Sequence, residues 1–488
     1  MAKIESLTKK KPKNVSITLI LVIFISLCFA MLATAIYMLH AQMSTHDPPQ
    51  SKPFGTKKRN EKAFGGGETL KQYHMVFSTS CSPFQDWQSI AFFYFAWKVK
   101  QTGTVTRIVS GCTDEETKML KQVHREQIEV LSSNFKLHIT PDFNFSGNTK
   151  YFNKPYGIRH WMENELGYPG GASEHDDDII MLLDPDMMLL RPLTHTFYDY
   201  PSWIWRGNDF LETKLEVTHG QPMASMYGFG NSWQTSVNNF GNMTYVVGEG
   251  SPALKVSKKE AEQLYPAGPP YLATARDMYS IVQLWTVHVM RYYDCFSGFM
   301  SEMYAYCTAA AHLGLPHQLA KGFMISDIGL KDTEGWEFLK GISRADSCEP
   351  KVPQNELPVV FHFCQRYALG RWFIGKYKLP EDFFTCAAPM LRVPPRDVGS
   401  RYDWYIYPNL QEMENYTARN NPNGIIYNSY ALCTMIDALN EVATHFKQHH
   451  CKGVTGNYEK SFVFHTTENF ENFLAHPELE VVSHSNPG

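Results

Sequence analysis

The ten cysteines of this chain contain no C-x-x-C pair and no Cys/His finger spacing, which argues against finger-type structural zinc and for disulfides. Net charge is also scarce, at −4 over 488 residues, so there is no basic field to hold nucleic acid. No internal repeat occurs, so the chain is not a repeat array. Long apolar runs are missing after residue 40, which leaves at most one membrane crossing. What is present is the composition of a globular protein, 43% apolar and 14% aromatic, with length enough for two to three domains.

The single long apolar run is residues 15–39, which carry no charge. As a helix it would span about 37 Å at 1.5 Å per residue, enough to cross a ~30 Å hydrocarbon core. Lys3, Lys9, Lys10, Lys11 and Lys13 precede it, and no Lys or Arg follows until Lys52. That bias predicts a cytosolic N-terminus and a single-pass type II protein with its bulk across the membrane. The rival is a cleaved signal peptide, but the run exceeds the 7–15 residues typical of one. The predicted plan is a basic tail (1–14), an anchor (15–39), a Pro/Gly/Lys-containing stem (40–70), a folded domain (71–452) and a C-terminal tail without strong patterning (453–488). Luminal exposure suits the sequons at Asn144, Asn242 and Asn415. With Cys28 in the anchor, nine cysteines remain, so at least one is unpaired within the chain. Cys81 with Cys112 is expected because both terminate predicted neighbouring strands, and Cys433 with Cys451 is a second expectation.

Within the domain, residues 74–80 read as a strand. Ser82, Pro83 and Gln85 then open a helix that keeps apolar spacing until Gly103. Residues 104–110 predict a second strand, Thr113 and Glu116 a capping box opening a second helix, and 135–139 a third strand. A helix is expected around 158–165, another over 300–314 stopped by Gly314 with Phe299, Met303, Tyr306 and Ala310 on one face, and a last one over 430–446. Short apolar strands are expected at 179–183 and 358–363. This alternation predicts an α/β domain with a mainly parallel sheet flanked by helices, whose ligands bind beyond the carboxyl ends of the strands.

The stretch DDDIIMLLDPDMMLLR, residues 176–191, carries the chemistry. A five-residue apolar strand runs straight into Asp184 and Asp186, one residue apart. Carboxylates beside a core are costly unless something positive meets them. Hard oxygen ligands suit Mn²⁺ or Mg²⁺, and such an ion can carry a diphosphate and neutralise a departing nucleoside diphosphate. The plainer alternative is an acidic turn with Pro185 setting the bend.

Five blocks, HMVFSTSCSPFQDWQ (74–88), FNKPYGIRHWME (152–163), MLLDPDMMLLRP (181–192), GFMSEMYAY (298–306) and FHFCQRYALGRWFIGKY (361–377), resemble the peptidyl serine α-galactosyltransferases of plants and green algae. They are more distantly similar to the hydroxyproline O-arabinosyltransferases, which have Glu-Pro-Asp-His where this chain has Asp184-Pro185-Asp186-Met187. The resemblance implies a GT-A-like (Rossmann-like) luminal domain held in the Golgi or endoplasmic reticulum membrane. It also implies a UDP-sugar donor, most readily UDP-galactose, and a serine- or hydroxyproline-rich secreted protein as acceptor. Asp184 and Asp186 would hold Mn²⁺ (or Mg²⁺) against the donor diphosphate, with His362 as third ligand and Lys376 paired with a phosphate. Ser78 and Thr79 would rest against the nucleoside, and Lys154 would reach the phosphates. Glu302, or alternatively Asp294, is the candidate carboxylate for orienting a hydroxyl or acting as nucleophile. For each of these the structural alternative is plain: strand-end hydroxyls, a loop lysine, a first-turn Glu favoured by the helix dipole. Trp87, Trp97 and Trp372 read as core.

Three rivals stand beside transfer of galactose. One is arabinofuranosyl transfer to hydroxyproline. Another is a catalytically silent luminal binding protein, which has no reason to keep three metal ligands. The third is a metal-dependent hydrolase, disfavoured because two carboxylates and one histidine make a single-ion site and no second cluster is visible.

Overall fold

The computed structural model describes residues 71–143, 145, 152–170, 174–205, 212–330, 333–408, 413–417, 422–451, 460–464 and 479–483. All lie in the compact unit Leu70–Gly488. Among the described residues no helix is long and apolar enough to cross a membrane; residues 15–39, the stem and Asn144 lie outside them.

Four strands, β1 (Tyr73–Ser80), β2 (Thr104–Ser110), β3 (Phe135–Thr140) and β4 (Ile179–Leu183), lie parallel in the order β3-β2-β1-β4. Helices α1 (Pro83–Lys98), α2 (Asp114–Val123) and α3 (Asn153–Glu165) make the crossovers. Period-two alternation sorts β1 between two cores. Met75 and Phe77 face a cluster that includes Phe92 and Phe93 of α1, and Val76 faces a cluster that includes Ile158 and Trp161 of α3.

The sheet is mainly parallel, as expected, with one strand reversed. β5 (Met187–Leu189) leaves it, and β6 (Met223–Met226), β7 (Ala267–Thr274) and β8 (Gln318–Ala320) extend it in the order β4-β7-β6-β8, with β7 antiparallel to both neighbours. The result is a mixed α/β fold around a parallel-rich sheet. β7 escaped detection because it holds Pro269 and Pro270, which cannot donate to a ladder. Both sit in a register shift against β6, where no partner amide is needed.

α4 (Ala275–Cys295) and α5 (Ser301–Leu313) cover the α3 face of the sheet. Gly314 ends α5 at φ +63, the left-handed stop that its position predicted. Met303, Tyr306 and Ala310 are buried as expected, but Phe299 is exposed. A small sheet, β5-β10-β9, uses β9 (Met324–Ile325) and β10 (Val360–His362). β11 (Arg366–Leu369) and β12 (Trp372–Gly375) form a hairpin through Gly370. A Cβ at Gly370, whose φ is +56, would lie 2.1 Å from the Tyr402 ring, so only glycine fits this turn.

Two further strands, β14 (Trp404–Pro408) and β15 (Met413–Thr417), extend the β12-β11 hairpin, following β13 (Met390–Leu391) in the chain. α6 (Pro422–His450) is longer than the expected 430–446. Beyond it, where the sequence suggested a tail without elements, β16 (Lys460–Phe464) pairs with β13 and with β17 (Leu479–Ser483).

Cys81–Cys112 joins the ends of β1 and β2 as expected. Cys433–Cys451 is corrected: the bonds are Cys348–Cys433 and Cys386–Cys451. Eighteen residues of α6 would hold the expected pair about 27 Å apart, far beyond the reach of a disulfide. Cys295, Cys307 and Cys364 are free thiols. Capping at Thr113 is reciprocal with Glu116, whereas the Ser82 side chain caps nothing and Gln85 accepts instead from the Ser80 amide. Trp87 is core, but Trp97 is 41% exposed against Tyr94 and His445.

Candidate active site

Five segments converge beyond the carboxyl end of β4. The chain leaves β4 through Asp184-Pro185-Asp186 and re-enters extended structure as β5, with the Met187 amide bonded to the Asp184 carbonyl at 3.2 Å. Antiparallel pairing of β10 with β5 sets His362 opposite Met187, and the Phe363 amide donates to the Asp186 carbonyl at 3.1 Å. This register carries the imidazole to the acidic turn, with Nε2 3.3 Å from Asp186 Oδ1. One donor atom from each of Asp184, Asp186 and His362 lies within 4.8 Å of the others. The β11–β12 hairpin then folds the chain back so that Lys376 Nζ contacts Asp186 Oδ2. From the other side, Lys154 in the first turn of α3 reaches Asp184 at 2.7 Å and Glu302 in the first turn of α5 at 3.2 Å. The Trp285 indole N–H donates to the Glu302 carbonyl at 2.9 Å and holds that turn of α5 in place.

The site is a chain of alternating charges: Glu302, Lys154, Asp184 on one arm, and Asp186 with His362 and Lys376 on the other. Burial alone would raise the Asp186 carboxyl, yet His362 and Lys376 outweigh it and hold the group well below the usual carboxylate range. Burial would likewise depress His362 and the two lysines. Cys364 and Asp186 carry the imidazole well above an ordinary histidine, Asp186 raises Lys376, and Asp184 and Glu302 raise Lys154. Glu302 is raised by burial and by Asp184, against the pull of Lys154. Among the site's carboxylate oxygens, Glu302 Oε1 is buried without a hydrogen-bond partner.

Two carboxylates and an imidazole with donor atoms this close together fit a divalent cation. The two ammonium groups that neutralise the carboxylates sit on flexible stems and suit an anionic ligand such as a diphosphate.

The sequence-predicted residues divide. Asp184, Asp186, His362, Lys154, Lys376 and Glu302 come together. Lys154 stands on a helix rather than a loop, because α3 begins at Asn153, five residues before the expected start. Ser78 lies on the α3 side of β1, where a Cβ on Gly157 would be 3.8 Å from its hydroxyl. Thr79 points the other way. Its buried hydroxyl accepts from Arg107 Nε at 3.0 Å, so the strand's alternation turns it from any ligand held by Lys154. Asp294 accepts from the Tyr245 hydroxyl at 2.9 Å, in an exposed bond.

Two groups near the carboxylates were not foreseen. Cys364 follows His362 by two residues, in the turn after β10, and lies close enough to raise the imidazole. Burial raises the Tyr227 hydroxyl well above its ordinary value, and Asp184 adds to the shift; no sequence pattern marks this residue. A second cluster, at the opposite end of β4, also went unread: His74, His175 and Asp178 offer donor atoms within 4.8 Å of one another.

No family model matches the chain. Among solved structures it is similar to glycosyltransferases. The galactosyltransferase LgtC, crystallised with donor and acceptor sugar analogs, is 13% identical with a TM-score of 0.33, covering 60% of this chain and 87% of LgtC. The apo form of the glycosyltransferase GlyE of Streptococcus pneumoniae is 10% identical with a TM-score of 0.30, covering 60% of this chain and 55% of GlyE.

Among curated proteins, the chain is similar to the peptidyl serine alpha-galactosyltransferase of Arabidopsis thaliana, 23% identical over 351 residues, 69% of this chain. It is also similar to the protein of that name from Chlamydomonas reinhardtii, 28% identical over 124 residues, 24% of this chain. The chain spans 34% of the Arabidopsis protein's length and 14% of the Chlamydomonas protein's.

Proposed function

We propose that the chain is a metal-dependent glycosyltransferase of galactosyltransferase type, moving a sugar from a UDP-sugar to a hydroxyl of a serine- or hydroxyproline-rich secreted protein. The observation that carries this reading is the meeting of Asp184, Asp186 and His362 with Lys154, Lys376 and Glu302 at one sheet edge. The named relatives supply the choice of galactose and of a peptidyl acceptor.

Asp184, Asp186 and His362 would hold Mn²⁺ or Mg²⁺, which neutralises charge on a leaving diphosphate. Lys154 and Lys376 exchange their carboxylate partners for phosphate oxygens as the donor enters, and stabilise the charge that builds on the departing UDP. Glu302 keeps Oε1 free to accept from a sugar or acceptor hydroxyl, while Lys154 holds its other oxygen. Ser78, on the Lys154 face, is placed for the nucleoside; Thr79 is removed from that role. The luminal, membrane-held setting is part of the same proposal. It is supported by three disulfides, which persist in oxidising compartments.

The test is a donor screen with the full chain and Mn²⁺, scoring slow hydrolysis of UDP-sugars without acceptor. UDP-galactose is expected to be turned over best, and Asp186→Ala to abolish the signal. No turnover of any UDP-sugar by the wild-type chain, or full turnover by the variant, overturns the reading.

A further inference from the structure

Asp178 stands immediately before β4, about 20 Å along the strand from Asp184 at ~3.3 Å per residue. Its Oδ2 lies 3.1 Å from His74 Nε2 and 2.8 Å from His175 Nδ1. We propose that His74, His175 and Asp178 form a second metal site, selective for a borderline ion of the Zn²⁺ kind and separate from the site of sugar transfer.

The donor set is the first reason. Two imidazoles and one carboxylate suit zinc, whereas the oxygen-richer set at Asp184 and Asp186 suits a harder ion. Zinc ligands at 2.0–2.2 Å from the ion stand about 3.3–3.5 Å apart in a tetrahedron, so the two Asp178 contacts need to open by roughly half an ångström or less.

The outer contacts are the second reason. Metal-bound imidazoles usually have their other nitrogen held, and bound carboxylates their other oxygen. Here the Thr104 hydroxyl lies 3.1 Å from His74 Nδ1, and the Gln72 amide donates to Asp178 Oδ1 at 3.1 Å. The Thr104 hydroxyl also lies 3.5 Å from the Tyr73 carbonyl, so it is placed to take the proton of Nδ1 when Nε2 turns to an ion. Nε2 and the Asp178 oxygen, 3.1 Å apart, are then the two atoms that would turn to the ion.

Access is the third reason. The side chains of His74 and Asp178 are 9% exposed and that of His175 is 29%, so the fourth coordination position opens to solvent on the His175 side. An ion there clasps the amino ends of β1 and β4 to the loop bearing His175.

The experiment uses the purified full chain, stripped with chelator, saturated with Mn²⁺ to fill the Asp184/Asp186 site, and titrated with Co²⁺ as a visible stand-in for Zn²⁺. We expect one Co²⁺ per chain with tetrahedral d–d bands, displaced by Zn²⁺, and a rise in melting temperature on adding Zn²⁺. His175→Ala, the substitution least buried of the three, weakens binding by 10- to 100-fold or more, Asp178→Asn behaves alike, and Asp186→Ala leaves the bands intact. Absence of the bands in the wild-type chain, or their survival in His175→Ala with loss in Asp186→Ala, overturns the site. Neither result touches the donor screen, which reads the opposite end of the strand.

Discussion

The two ends of β4 both carry aspartates, but they are built from opposite partners. At the carboxyl end, Asp184 and Asp186 meet the ammonium groups of Lys154 and Lys376, point charges on long flexible stems. At the amino end, Asp178 meets two imidazole rings and a backbone amide, and the His74 ring is held in turn by Thr104. Lysines on flexible stems can exchange carboxylate partners for phosphate oxygens, while a ring fixed on a strand, as His74 is, serves a scaffold. The strand therefore separates an exchangeable charge system from a permanent one, about 20 Å apart.

The sharpest way to break this comparison is to remove one carboxylate from each end. Asp186→Asn is expected to lower turnover of the sugar donor at least 1,000-fold, as chain yield and disulfide formation stay normal. Asp178→Asn is expected to do the reverse, lowering the melting temperature while turnover falls only with the folded fraction. Equal loss of turnover from both, measured per folded chain, would erase the distinction.

Glu302→Gln comes next, with turnover expected to fall about 100-fold. The amide keeps the shape but not the charge that pairs with Lys154. Donor KM should change far less than kcat if Glu302 acts on the sugar or acceptor, because Lys154 remains to bind phosphate. A rise confined to KM would move Glu302 to a purely positioning part.

His362→Ala is expected to weaken the Mn²⁺ dependence of turnover by 10- to 100-fold, read as the midpoint of a metal titration. An unchanged midpoint would remove His362 from the ligand set and leave its buried ring as a partner of Asp186 alone.

How much of this was readable follows from how local each signal is. β1 to β4 fell within a residue or so of their observed bounds, because apolar runs, the Thr113–Glu116 box and Gly314 are signals carried within a few residues. Asp184 and Asp186 were readable because strand ends are where such folds place ligands, and His362 joined them through the resemblance together with its own strand-end position. Lys376 and Glu302 were given by resemblance, since nothing local distinguishes a buried lysine from a solvated one. The amino-end cluster was not readable: His74 and Asp178 are 104 residues apart, and only the β1–β4 register brings them together. Tertiary placement also decided Cys348–Cys433, where α6 overrode the nearer partner. Alternation along β1 could have separated Ser78 from Thr79, since adjacent strand residues face opposite cores.

The smallest expected effect lies behind the carboxyl end, at Glu334. Its carboxylate is buried and accepts from the Ser326 amide at 2.6 Å, the Asp327 amide at 3.0 Å and the Trp336 indole at 3.0 Å. These bonds pin the turn after β9, the strand against which β10 and its His362 lie. Burial pushes the carboxyl up to about 7, the donors pulling only part of the way back. A carboxyl raised in the folded state binds its proton more tightly there than in the unfolded chain. Its contribution to stability is full below about pH 4.5 and is lost as pH rises through 7. The loss is on the order of 3 kcal/mol, since each tenfold gain in proton affinity on folding is worth about 1.4 kcal/mol. Glu334→Gln cannot titrate, so the wild-type advantage over this variant in denaturant unfolding should shrink steadily from pH 5 to pH 8. An advantage that stays flat, or grows, would mean that the three N–H donors already hold the carboxylate charged, and that this turn is insensitive to pH.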